Sequence, residues 1–218
     1  MEQLISSNQV ITPGRIALKV LITDDVLETM RGDAIAMAAQ VAGVAIAVKQ
    51  DVDLVGLGDG FVASPGGAGL VINYNYIRAG KTRILASAEP GVKGPFYCVV
   101  RPEHGFQLSK NIVDPGTYPI PEGISAQVLR EGYVMKLGGV EVFEDTNITV
   151  DSNTDAKGFV FAKDAIRLVK TGGGVSNERE RDPSAFGWEL VLGLKYGYGE
   201  YLDAWGVELL FDATTPTS

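Results

Sequence analysis

Cysteine and histidine are nearly missing: across 218 residues the chain holds only Cys98 and His104. A lone cysteine excludes a disulfide within the chain, and with a single histidine it excludes the usual His/Cys zinc sets. Basic residues are outnumbered, 19 Lys and Arg against 27 Asp and Glu, for a net charge of −8. That balance argues against broad binding to nucleic acid or anionic membrane, which needs clustered cations. The opening MEQLISSNQV lacks the basic start and apolar run of a signal peptide, so a cytosolic chain, or one assembled in the cytosol, is expected. No repeat of about 20–50 residues is visible.

What is abundant is a long apolar helical pattern. From Thr23 to Gln50, Leu27, Met30, Ala34, Met37, Val41, Val44 and Val48 recur at steps of three and four, which predicts one helix of about 40 Å. Thr23 is placed to cap it, and Asp24, Asp25 and Glu28 suit the positive end of its dipole. Ile35 to Val48 is apolar except for Gln40, but Arg31, Asp33 and Lys49 bound it, short of the roughly 20 residues a membrane span needs. A buried helix against which the rest of the domain packs is the expectation.

Before that helix, Arg15 to Ile22 alternates as a strand, with Val10-Ile11 an extended arm before Pro13-Gly14. After it, the glycines from Gly56 to Gly69 have the spacing G-x-G-x-G and Pro65 where a helix should open. They fit neither the dinucleotide fingerprint nor a phosphate loop and are expected to serve turns. Asn73 to Ser87 reads as a helix with Tyr74, Ile77, Ile84, Leu85 and Ala88 on one face, and Phe96 to Val100 as a buried strand. Arg101 to His104 opens a short helical turn, followed by a loop from Asn111. Residues 132–144 predict a hairpin about Gly138-Gly139. Phe159 to Ala162 is a core strand, Asp164 to Val169 a short element, Gly187 to Gly199 a long strand, and Trp205 to Phe211 the last strand. Between them, Thr171 to Gly174 leads into the alternating charges Glu178-Arg179-Glu180-Arg181-Asp182. That run reads equally as a solvated loop or as an ion-pairing contact with a neighbouring subunit.

Only Cys98 with His104, or Glu103 with His104, offers catalytic chemistry, and neither has an orienting third residue in view. A thiol in an apolar strand is inert. No residue is therefore assigned a catalytic, cofactor-binding or metal role, and no cofactor is expected.

The order of these elements, with "FYCVVRPEHGFQL", "GGVEVFEDTNI", "FVFAKDAIRLV", "ERERDP" and "YGYGEYLDAWGVELL", resembles the major capsid proteins of tailed bacteriophages. The resemblance runs over roughly residues 16 to 211. It implies an α+β, Hong Kong 97-type capsid fold: a spine helix, a peripheral (P) domain over 23–60 and 195–218, an axial (A) domain over 61–194, and residues 1–22 as an N-terminal arm or E-loop strand. Members usually carry a full arm and a two-stranded E-loop before the spine, and here Met1 to Ile22 provides the returning strand alone, so these parts read as shortened.

The resemblance further implies a virion structural protein, assembled in the host cytoplasm into hexamers and pentamers of an icosahedral shell around phage DNA. DNA would be packed without sequence-specific contact, and portal, scaffold or decoration proteins would be partners; no membrane is involved. Expected subunit contacts are Val10, Arg15 and Lys19 on the arm, and Gly172, Gly173, Gly174, Glu178, Arg179, Glu180, Arg181 and Asp182. The alternatives are an encapsulin-type nanocompartment shell and a small soluble enzyme using Glu103 and His104.

Overall fold

Strand β1 (Gly14–Thr23) alternates apolar and polar residues, and it pairs antiparallel with β6 (Gly187–Glu200) over its whole length, Ile16 opposite Leu194 and Ile22 opposite Trp188. The structure is a computed structural model that describes residues 10–30, 33–61, 65–87, 92–113 and 136–216. The chain divides into two compact units, Met1–Asp53 with Arg167–Gly199, and Leu54–Ile166 with Glu200–Ser218. This division differs from the P and A boundaries inferred from the resemblance: residues 167–194 group with the long helix.

In the first unit the sheet has the order β1-β6-β5, with β5 spanning Ile166–Asp182. Here the sequence expectation is corrected, because 171–182 is strand and not loop, continuous with the short element expected at 164–169. Glycine-rich and charge-alternating stretches carry no apolar alternation, so pairing to β6 decides the conformation. Gly172 and Gly174, at φ of 84° and 126°, adopt backbone angles other residues rarely take.

The helix of this unit is also corrected. It is two helices, α1 (Asp24–Thr29) and α2 (Ala34–Val55), because Met30 turns extended (φ −74°, ψ 127°). The Asp33 carboxylate then accepts the Ala36 N–H at 3.0 Å, a capping contact that restarts the helix. The face is reversed as well. Ala42 and Ile46 are buried against Leu190, Leu192 and Leu194, with Ala38, Ala39, Ile16, Leu18 and Val20 around them. Large side chains come from the sheet and small ones from the helix, so helix and sheet approach closely. Of the predicted stripe, Met37, Val41, Val44 and Val48 lie exposed on the opposite side, while Ala34 is buried.

A polar clasp closes this packing. Asp53 accepts hydrogen bonds from Tyr196 at 2.6 Å and from Lys49 at 2.5 Å. Burial pushes the Asp53 carboxyl upward, but the bonds from Lys49, Tyr196 and Tyr198 outweigh it and hold the group below its ordinary range. Tyr196→Phe removes one charge-assisted bond and should lower stability by about 1.5–3 kcal/mol in urea titration.

The second unit carries a sheet of order β3-β2-β4-β7, from Val140–Glu144, Phe96–Val100, Asp155–Ala162 and Gly206–Asp212. β3 pairs with β2 in parallel, and antiparallel pairing joins β2 to β4 and β4 to β7. The hairpin expected over 132–144 survives at its tip, where Leu137 bridges Val140 across Gly138 and Gly139, both at positive φ; residues 132–135 lie outside the described ones. Helix α3 (Tyr74–Ala86) starts where Asn73 accepts N–H bonds from Asn75 and Tyr76, and it buries Ile77, Gly80 and Ile84. Leu85, expected on that face, is exposed. The turn after Val100 is a full helix, α4 (Pro102–Val113), with Pro102 at its first position, where the missing N–H is no loss. Gly58 faces the Phe159 ring so closely that a Cβ would overlap it, which explains a glycine there.

Candidate assembly surfaces

Helix α2 is apolar on both faces. Between Ala34 and Val48 only Gln40 is polar. The sheet covers one side, leaving Met37 54 % exposed, Val41 70 %, Val44 58 % and Val48 43 %. A helix apolar all round is ordinarily covered all round, and side chains of this size bury favourably by about 1.5–3 kcal/mol each. Beside this stripe an apolar groove of about 480 Å³ runs between β1 and the two helices, lined by Val20, Ile22, Val26, Met30, Met37 and Val41. With the 3-10 turn after it, α2 is long and apolar enough to cross a membrane, but its Ala42–Ile46 side is packed on the sheet.

The residues expected at subunit contacts fall in three places. Val10 is exposed at the start of the arm; the following Ile11 and Pro13 lie on Gly197, where a Cβ would collide with both. Arg15 and Lys19 are on β1, opposite Lys195 and Val191, and Lys19 pairs with Glu189. Gly172, Gly173 and Gly174 lie in the middle of β5. Glu178 to Asp182 lies at its end, where the arginines already have partners in their own chain. Arg181 holds Asp24 with two bonds, at 2.7 and 3.1 Å, and Arg179 and Arg181 stack over Trp188 at 4.7 and 5.4 Å. The structure thus places Arg15, Lys19, the glycines and the charged run on one sheet, and leaves Val10 outside it. Sequence reasoning missed the exposed stripe of α2. The signal was there in Ala38, Ala39, Ala42 and Ile46, a second apolar stripe made mostly of alanine beside the larger one.

The enzyme alternative finds no support in its own residues. His104 is wholly buried, its Nε2 lies 3.3 Å from the Phe211 carbonyl oxygen, and its Nδ1 meets no hydrogen-bond partner among the described residues. Glu103 pairs with Arg101 at 2.8 Å. Cys98 is fully buried, and burial drives its thiol far above the ordinary range, away from the reactive thiolate.

Burial also lowers the His104 pKa, against opposing pulls from the Phe211 carbonyl, Glu103 and Asp212. An unfolded chain therefore takes this proton at a higher pH than the folded one. Its contribution is intact above about pH 6.5 and is lost as pH falls below that value. His104→Phe should flatten the fall in unfolding free energy between about pH 7 and about pH 5 relative to the parent, measured by urea titration at each pH.

No family model and no curated protein sequence matches the chain. Solved structures do. A protein of Mycobacterium phage Che8 aligns with a TM-score of 0.71 at 18% identity, over 93% of this chain and 72% of its own. The capsid of Ralstonia phage GP4 aligns with a TM-score of 0.71 at 12% identity, over 95% and 75%. The fold is that of phage capsid subunits. The same α+β fold serves in the SrpI encapsulin of Synechococcus elongatus PCC 7942, with a TM-score of 0.68 at 12% identity, over 94% of this chain and 76% of that one.

Proposed function

We propose that this chain is a major capsid protein of a tailed bacteriophage, whose copies associate as hexamers and pentamers and close an icosahedral shell around phage DNA. The observation that carries the reading is the capsid-subunit fold, which extends over nearly the whole chain. The uncovered apolar side of α2 supports it, since such a face suits a subunit that is completed by neighbours. Symmetry multiplies modest contacts into a stable particle. With a net charge of −8, the wall would not hold packed DNA by charge, and the reading carries no sequence-specific contact with it. The shell is the virion capsid, assembled in host cytoplasm, with portal, scaffold and decoration proteins as further partners.

The encapsulin reading is the second one, favoured by the likeness to an encapsulin shell. The two part on contents. Particles purified from infected cells and treated with nuclease should retain protected DNA under the capsid reading. Shells free of DNA that carry a stoichiometric companion protein would favour the compartment, and absence of any particle would contradict both.

A further inference from the structure

Strand β5 is an outer strand of its sheet, and residues 174–181 are exposed. An exposed edge offers unpaired backbone groups to any chain able to add a strand. Side chains of a strand alternate between faces, so Glu178-Arg179-Glu180-Arg181-Asp182 sorts its charges by sign. Arg179 and Arg181 share one face, over Trp188. Glu178, Glu180 and Asp182 take the other, where Glu180 and Asp182 act electrostatically on Lys19.

Consider two copies meeting β5 to β5 about a two-fold axis. The strands would run antiparallel, and residues directly opposite must point their backbone groups the same way, so their numbers share parity. Opposite Arg179 would then stand the second copy's Arg181, opposite Glu180 the second copy's Glu180, and opposite Glu178 the second copy's Asp182. Sliding the register by one step of the ladder keeps like charges opposed at the centre of the run and sets its ends against Ser176 and Asn177 or against Pro183 and Ser184. Wherever two of these five charges meet face to face they are alike, which is destabilising.

We infer that Glu178 to Asp182 guards this edge: it stops two copies from joining sheet to sheet through β5 and confines contacts there to the side-chain faces. This holds whether or not the chain builds a shell, and its test is read on the smallest species in solution. Cys98 is buried, so a cysteine placed at the centre of the run by Glu180→Cys is the reactive thiol, and in oxidised glutathione it joins two chains where β5 meets β5. Exchanging two charges in that background, Glu178→Arg with Arg179→Glu, keeps composition and net charge. It leaves Arg181 on Asp24 and turns the 179–181 and 178–182 pairings from like to opposite.

The exchanged protein should cross-link at least about tenfold faster than Glu180→Cys alone. Its β5 amides should exchange more slowly with deuterium. Equal cross-linking rates, or rapid cross-linking of Glu180→Cys alone, would overturn the inference, as would an exchanged protein that neither cross-links nor gains protection. Should the exchange disturb folding, as judged by circular dichroism, Glu178→Thr with Arg179→Thr in the same background should show the same order of rates.

Discussion

Changing Val41, Val44 and Val48 together to glutamate should leave a folded subunit that no longer forms particles. The three side chains are 70 %, 58 % and 43 % exposed, and none belongs to the buried cluster of the first unit. Surface changes of this kind alter stability by about 0.5 kcal/mol or less each. On the capsid reading this face is covered by neighbouring copies, and three charges there would impose an unpaired desolvation penalty at every repeated contact, so particle yield should fall by more than about 100-fold. Circular dichroism and urea titration would report the fold, and gradient sedimentation the particles. Ala42→Glu, on the opposite side of the same helix and fully buried, should unfold the first unit instead. If the triple variant assembled normally, the apolar face would have no part in assembly.

Phe211→Ala should lower the stability of the second unit by about 3–5 kcal/mol. Phe211 is completely buried on β7, its ring centroid 4.8 Å from that of Tyr76 on α3 and 6.4 Å from the His104 ring on α4. Truncation would open a cavity beneath both helices and beside the histidine, whose Nδ1 is already unpartnered among the described residues. Phe106→Ala on α4, where the ring is 44 % exposed, should change stability by less than about 1 kcal/mol. Equal effects of the two substitutions would show that the second unit is not organised around Phe211.

Elements whose apolar period matches their environment could be read from the sequence. β1, β6 and β7 alternate against one buried face, and α3 announces its start with Asn73. The position of α2 was also legible, but its orientation was not. Both sides are apolar, and the sheet selects alanines because they let its leucines come close, so the larger stripe points outward. Its break was written in Asp33, a capping residue inside an otherwise continuous pattern. β5 was hidden for a different reason: Gly172 to Gly174 and the charged run have no strand propensity of their own and are held by pairing to β6. The charge alternation at Arg179 and Arg181 was legible, but their partners within this chain were not, because Asp24 is 157 residues from Arg181 and Trp188 comes into reach only through the pairing of β5 with β6.

The central claim is that this subunit is incomplete without its copies. Multi-angle light scattering of the purified protein, across a concentration series, addresses it most directly. The capsid account expects closed particles of megadalton mass, or rings of five or six subunits that grow into them. A monodisperse monomer of 23.2 kDa, unchanged up to the solubility limit, would contradict it.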